Sequence, residues 1–354
     1  MTDRDHPRRV LIVRIGAMGD VLHALPAVAA LRRAHPEWWI GWAIEPGWAS
    51  LLRAGSGAMT LVDRLHFVPT REWKRRPFAL KTLRDIGRLR DDLRGERYDL
   101  CVDMQGTIRS SVIGRLAGAA EFFGPAKPRE APASWLYGTR VRTMSAHVVE
   151  QGCEILSAAV GEVLTPGGVA LPMDEPAERW RDELLARTVP GGRFVVIAPS
   201  AGWGAKQWPA ERYGAVAAEL RRAGFVTLVN AASAEDALAT AVVKASDGAA
   251  MVVPCTVAQL VALVRRASLV IAGDTGPLHL GAALGRPVVG LYGPTDPARN
   301  GPYGTRAMVL RRESSKRDHT RRAETEQGLM QITAYEVTMA ALQLLKSERD
   351  KVDV

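Results

Sequence analysis

Four short stretches hold the residues able to do chemistry, and each stands where an apolar run gives way to a helical pattern. The densest carries Asp274, Thr275, Gly276 and His279, directly after the apolar residues 269–272 and at the start of the small-residue segment 278–284. In an open parallel sheet, ligands bind outside the carboxyl ends of the strands, where such handovers sit. The N–H groups and dipole of a helix start favour an anion there. Taken alone, Asp274 is also what a capping residue on an ordinary turn looks like. A buried strand over 288–291 and a Gly-Pro-Thr-Asp-Pro loop at 293–297 complete the stretch.

Residues 10–27 read as a strand, a glycine turn and a helix start. Gly16 and Gly19 give Gly-x-x-Gly without the leading Gly-x-Gly of a dinucleotide fingerprint, so nothing specific points to a nicotinamide cofactor. Asp20 falls in the first helical turn, where a carboxylate is favoured, as a cap or as a proton acceptor. His23 is a second candidate base or a plain helix-face residue. A third stretch, 198–209, sets Ser200, Ala201, Gly202 and Lys206 between a strand and a helix. Lys206 is there either a surface residue or a fixed cation for a phosphate. The fourth, Asp103-Met-Gln-Gly-Thr-Ile-Arg109, offers Gln105 and Arg109. No Asp-x-Asp metal motif stands in these turns, so no metal is expected and a side-chain cation must balance any developing phosphate charge.

The elements that position these residues alternate strand and helix. Apolar runs predict strands over 10–13, 39–44, 65–68 and 98–102, with helices over 19–34, 78–93 and from 110 to 117. In the helix over 78–93, Leu80, Leu83, Ile86, Leu89 and Leu93 share one face. After the Pro/Gly-rich residues 164–176 the alternation restarts. Strands are expected over 194–198, 226–230, 251–253, 269–272 and 288–291, with helices over 177–186, 211–223, 234–245 and 257–266. An amphipathic helix over 337–345 closes the chain. Such alternation implies parallel sheets covered on both faces. The expected fold is α/β, with two Rossmann-like doubly wound domains: 1–165, a linker over 166–176, then 177–330, followed by the closing segment 331–354.

The 354 residues are 47% hydrophobic and 24% charged, a globular balance long enough for two domains. No run approaches the ~20 apolar residues of a membrane span, and the start lacks an apolar signal core, so a cytoplasmic protein is expected. Cys101, Cys153 and Cys255 are odd in number and far apart, which suggests reduced thiols and no zinc site. The net charge of +9 suits anionic partners. The excess gathers at Arg71, Lys74, Arg75, Arg76, Lys81 and Arg84, and again at Arg311, Arg312, Lys316, Arg317, Arg321 and Arg322. No nucleic-acid reading motif accompanies the clusters, and a solvated face is the plainer account of either.

The Asp-Thr-Gly-x-x-His turn at 274–279 and the Gly-Pro-Thr-Asp-Pro loop at 293–297 resemble the nucleotide-sugar motif of the ADP-heptosyltransferases of lipopolysaccharide core synthesis, glycosyltransferase family 9. Met18-Gly19-Asp20-Val21-Leu22-His23, Lys206-Gln-Trp-Pro209 and Asp103-Met-Gln-Gly106 resemble further motifs of that family, so the likeness spans about residues 10–345. It implies the GT-B architecture, two domains facing across a cleft, with the last helix packed back on the N-terminal domain. It also implies inverting transfer of heptose from ADP-heptose to Kdo of a Kdo-lipid A acceptor at the anionic inner leaflet, by a protein peripheral to the membrane and without a cofactor.

By the same resemblance Asp20 is the general base and Lys206 the cation on the leaving diphosphate. Ser200, Ala201, Gly202, Glu235, Cys255, Asp274, Thr275, Gly276 and His279 join Lys206 in holding the donor. Glu235, with Asp236 as its alternative, stands at the distance from a strand at which an acid binds ribose hydroxyls. Arg71, Lys74, Arg75, Gln105, Arg109 and Arg129 receive the acidic acceptor, and Trp73 and Phe78, interleaved with the cations, are expected at the membrane interface. The chain departs from the family at Ala198-Pro199-Ser200, where Asn-Pro-Gly is common, and at Ala231, Ala232 and Ser233, where glycines are usual. Other readings are a different core acceptor, a nucleotide-sugar epimerase of the same fold, and a non-catalytic nucleotide-sugar-binding protein.

Overall fold

A computed structural model describes residues 7–318 and 324–352. Arg321 and Arg322 of the second basic cluster lie outside the described residues. The chain divides into two compact units, Met1–Pro172 and Met173–Val354, and the boundary falls inside the Pro/Gly-rich stretch.

The first unit holds strands β1 (Arg9–Val13), β2 (Trp39–Ile44), β3 (Arg64–Phe67), β4 (Leu100–Asp103), β5 (Glu121–Pro125) and β6 (Thr139–Val141). Its helices are α1 (Met18–Ala34), α2 (Thr70–Arg75), α3 (Leu80–Gly95), α4 (Ile108–Ala117) and α5 (Val148–Val160). The strands form one parallel sheet in the order β3-β2-β1-β4-β5-β6. Strand order therefore reverses between β1 and β4, whose last residues, Val13 and Asp103, are in register. Val10 to Val13 are buried to the last atom, as a strand covered on both faces requires.

The second unit repeats the design with β7 (Phe194–Ala198), β8 (Val226–Ala231), β9 (Ala250–Pro254), β10 (Leu269–Gly273), β11 (Val288–Tyr292) and β12 (Ala307–Arg311). Its helices are α6 (Glu175–Thr188), α7 (Ala210–Arg222), α8 (Ala237–Ala245), α9 (Val257–Arg266), α10 (Gly276–Ala283), α11 (Pro297–Asn300), α12 (Gln327–Gln331) and α13 (Ala334–Val352). The order β12-β11-β10-β7-β8-β9 reverses between β7 and β10, with Ala198 opposite Ala272. Among the described residues no helix is long and apolar enough to cross a membrane.

The structure places the closing helix and corrects the reading of two other parts of the chain. The closing helix α13 packs within the second unit: Val337, Ala340, Ala341, Leu344 and Leu345 join Trp208, Tyr213 and Val216 in one core. The chain just before it is pinned there, since Trp208 Nε1 and Arg212 Nη1 both donate to the Ile332 carbonyl. In α3 only part of the apolar stripe is buried: Leu89 and Leu93 are, whereas Leu80 and Leu83 stand 72% and 54% exposed. Strands β5, β6 and β12 and the short helix α2 were not legible, because β6 is largely exposed, β12 is only half-buried, β5 ends in Gly124-Pro125, and α2 carries four charges in six residues.

Helix α10 lies close on the sheet beneath it. A Cβ at Gly281 would fall 2.9 Å from Val288 Cγ1 and 3.0 Å from Val270 Cγ2. Replacing Gly281 by Leu should overpack this contact and lower stability by about 2 kcal/mol, seen as a lower urea midpoint. An unchanged midpoint would mean that α10 is free to move off the sheet.

Candidate active site

In the second unit the reversal between β7 and β10 brings together the Lys206 turn and the Asp274 turn. Lys206 Nζ donates to Asp274 Oδ2 at 2.5 Å and to the Asp274 carbonyl at 3.3 Å. His279, one turn into α10, lies 3.0 Å by Nε2 from Asp274 Oδ1. An ionised carboxylate only accepts, so Nε2 carries the proton. The side chains of Lys206, Asp274 and His279 are 11%, 8% and 5% exposed. Burial alone would raise the Asp274 carboxyl; the His279 hydrogen bond and charge and the nearby Lys206 outweigh it and hold it well below the usual carboxylate range. Beneath Lys206 lies the Trp203 ring, 4.5 Å from Nζ, a cation–π contact that further fixes the ammonium.

The surrounding backbone locks this turn. Glu326 N donates to the Ala205 carbonyl at 3.2 Å, and the Thr325 hydroxyl donates to the Gln207 carbonyl at 2.8 Å. Gly273 admits the Lys206 carbonyl: a Cβ there would meet it at 3.2 Å. The Thr275 hydroxyl donates back to Gly273, and Gly276 opens α10, whose positive dipole end starts here. Ser200 and Gly202 are exposed and Ala201 half-buried on the same β7–α7 turn. Cys255 follows β9, accepts from Asn230 Nδ2 at 3.3 Å, and has its thiol pushed up to about 11 by burial. Glu235 is exposed after β8, whereas its alternative Asp236 caps α8 by accepting from Ala239 N at 2.9 Å. That fixed structural duty leaves Glu235 the better candidate for a ligand.

In the first unit the reversal between β1 and β4 gathers a second set. Asp20 is 32% exposed by side chain. Its Oδ2 accepts from Ala17 N at 3.2 Å, so the capping role is real. Its Oδ1 pairs with Arg14 Nη2 at 2.9 Å, and Arg129 Nη1 lies 4.0 Å from Oδ2. Arg14 also donates to the carbonyls of Asp20 and Met104, which joins the two turns. Gln105 does the same by accepting from Ile15 N at 2.7 Å. Gln105 thus braces the turn, a duty its assignment to the acceptor did not anticipate. Asp103, fully buried, accepts from the amides of Gln105 and Gly106 and from the hydroxyls of Ser110 and Tyr137. Burial raises its carboxyl nonetheless; it is a strut for the turn. His23 is buried in α1 and edge-on to His147 at 5.8 Å.

The expected acceptor cations separate. Arg71 sits over Trp48 at 5.2 Å, and Trp48 in turn closes on Gly16, where a Cβ would meet its indole nitrogen at 2.8 Å. Arg71 and Arg129 thus border the Asp20 turn. Lys74, Arg75 and Arg109 are exposed. Trp73 packs against the core instead of facing outward, while Phe78 is exposed. In the second basic cluster Arg311, Arg312 and Arg317 are spent on internal ties, to Ser315, Glu336 and Asp296. Sequence reasoning missed Arg14, Trp203 and Glu326. Only Arg14 left a signal, a charge ending an apolar strand.

Residues 86–330 match glycosyltransferase family 9 (heptosyltransferase). Lipopolysaccharide heptosyltransferase 1 of Escherichia coli (strain K12) is 29% identical over 309 residues, 86% of this chain and 93% of that one. The structure of E. coli heptosyltransferase WaaC with ADP superposes with a TM-score of 0.77 at 26% identity, covering 95% of this chain and 99% of that chain. WaaC with ADP-2-deoxy-2-fluoro heptose gives 0.73 at 26% identity, covering 96% and 99%.

The buried ion cluster has a pH signature. Because the folded Asp274 carboxyl lies below its unfolded value of about 3.9, its contribution is fully present above about pH 5. It is lost as acid carries the pH below the ordinary carboxylate range toward the folded value. Asp274→Asn should cost about 3 kcal/mol near neutrality. In urea titrations the gap to the unsubstituted protein should stay level down to about pH 5 and narrow below it. A gap independent of pH would show that Asp274 is not held ionised by its neighbours.

Proposed function

The chain belongs to glycosyltransferase family 9, the heptosyltransferases, and we propose that it moves heptose from ADP-heptose to Kdo of a Kdo-lipid A acceptor, with inversion at the anomeric carbon. The observation that carries this reading is the buried Lys206–Asp274–His279 cluster at the strand-order reversal of the second sheet. It supplies a fixed cation beside a helix start, which is what a departing nucleoside diphosphate needs. The acceptor cations Arg71, Lys74, Arg75, Arg109 and Arg129 suit the carboxylate and phosphates of an acidic glycolipid, presented at an anionic membrane face.

In this account the acceptor hydroxyl gives its proton to Asp20 as its oxygen bonds to the anomeric carbon from the face opposite the diphosphate. The bond from that carbon to the diphosphate oxygen breaks, and ADP leaves carrying the electron pair. Arg14 and the Ala17 amide hold Asp20 in place, and its partial exposure lets an incoming hydroxyl reach it. His23, buried in its helix, is the poorer base. Lys206 trades part of its contact with Asp274 for the leaving phosphate, so Asp274 orients the ammonium before reaction and takes it back after release. Glu235, Cys255, Thr275 and Gly276 line the donor's remaining length. Charge on the diphosphate is met by side chains, and no resident metal is needed.

Purified protein with ADP-heptose and Kdo-lipid A should release ADP only when acceptor is present, and the acceptor should gain the mass of one heptose. Donor binding without transfer would send the search to another acceptor. Asp20→Ala should leave donor affinity near its original value and lower kcat by about 100-fold or more. Lys206→Ala should weaken donor binding and turnover together. A chelator should leave the rate unchanged; loss of activity restored by magnesium would defeat the metal-free account.

A further inference from the structure

The apolar stripe of α3 holds more side chains than the core takes. Thr82, Leu89 and Leu93 are buried, while Leu80 and Leu83, three residues apart in the first turns of the helix, stand out into solvent. Phe78, in the connection from α2 to α3, is 91% exposed. Residues 71–84 carry six cations, Arg71, Lys74, Arg75, Arg76, Lys81 and Arg84, all exposed, against the single carboxylate of Glu72. That carboxylate is engaged by Lys81, which ties α2 to α3. Three large apolar side chains held outward among fixed cations have no solvation reason to be there.

We propose that Phe78, Leu80 and Leu83 form an insertion edge that enters the interfacial region of an anionic bilayer, with the surrounding arginines and lysines on lipid phosphates. Charge selects the partner: cations draw the segment to an anionic surface, and the apolar trio gains only where there is hydrocarbon to receive it. Trp73 takes no part, because it is half-buried against the protein core. The proposal uses the functional reading above only to explain why a membrane would be the partner, and its test involves no sugar transfer.

The full chain is mixed with phosphatidylcholine vesicles with and without phosphatidylglycerol, and bound protein is measured by sedimentation. Binding should require the anionic lipid. The combined variant Phe78→Ser, Leu80→Gln, Leu83→Gln should partition about 30-fold more weakly, with unchanged melting. Binding equal to that of the unsubstituted chain overturns the proposal. Should the triple variant fail to fold, a Phe78→Cys chain labelled with an environment-sensitive fluorophore decides. Cys101 and Cys153 are buried and burial raises the Cys255 thiol to about 11, so labelling is selective. A blue shift on anionic vesicles supports insertion; no shift overturns it. Retention on an anionic polymer such as heparin without that shift assigns the cations to a soluble polyanion and also overturns it.

Discussion

A strand covered on both faces has no room for charge. Val10 to Val13, Phe194 to Ile197 and Leu269 to Ala272 are each sealed from solvent, and an unpaired ion among them would cost several kcal/mol. Charged groups must therefore gather where the strands end. The order of strands decides which ends are useful, since neighbouring connections diverge only where that order reverses. Both sheets reverse after three strands, between β1 and β4 and between β7 and β10. Asp20, Arg14 and Gln105 occupy one reversal, and Lys206, Asp274 and His279 the other. The chemistry of the chain follows from that single constraint applied twice.

The two clusters hold charge in different ways. Lys206 and Asp274 are nearly dry, so their attraction is little screened and the ammonium is held in place. Preorganisation of that kind stabilises a leaving group without reorganisation at the moment of bond breaking. Asp20 is a third exposed and shares its oxygens between Arg14 and a backbone amide. The base role proposed for Asp20 requires that access. Behind each stands a brace of hydrogen bonds: Asp103 with Tyr137 and Ser110 behind the first turn, and Thr325 and Glu326 behind the second.

Two arginine-rich runs of similar composition have opposite fates. Arg311, Arg312 and Arg317 point to carbonyls and carboxylates of their own unit and hold its loops. The run from Arg71 to Arg84 has one carboxylate among its six cations and leaves most of them outward, beside apolar side chains the core does not use. Composition could not separate these cases, because the separation depends on which acids the fold brings near.

The amino-acid sequence determined most of the strands, the four turns and the residue types in them. Each is a local property: apolar runs of strand length, glycines where backbone must approach, an acid or lysine at a helix start. Strands 39–44 and 194–198 match the expected bounds because burial on both faces leaves an unbroken signal, and helix 257–266 does because Thr256 caps it and its apolar residues repeat at helical spacing. Tertiary structure alone decided what these turns do together. Lys206 and Asp274 are 68 residues apart, and Ile15 and Gln105 are 90 apart; they meet because the sheets reverse between their strands, which no local pattern encodes. The same holds for α13 in the second unit's core, since an amphipathic stripe specifies that it will be covered but not by what.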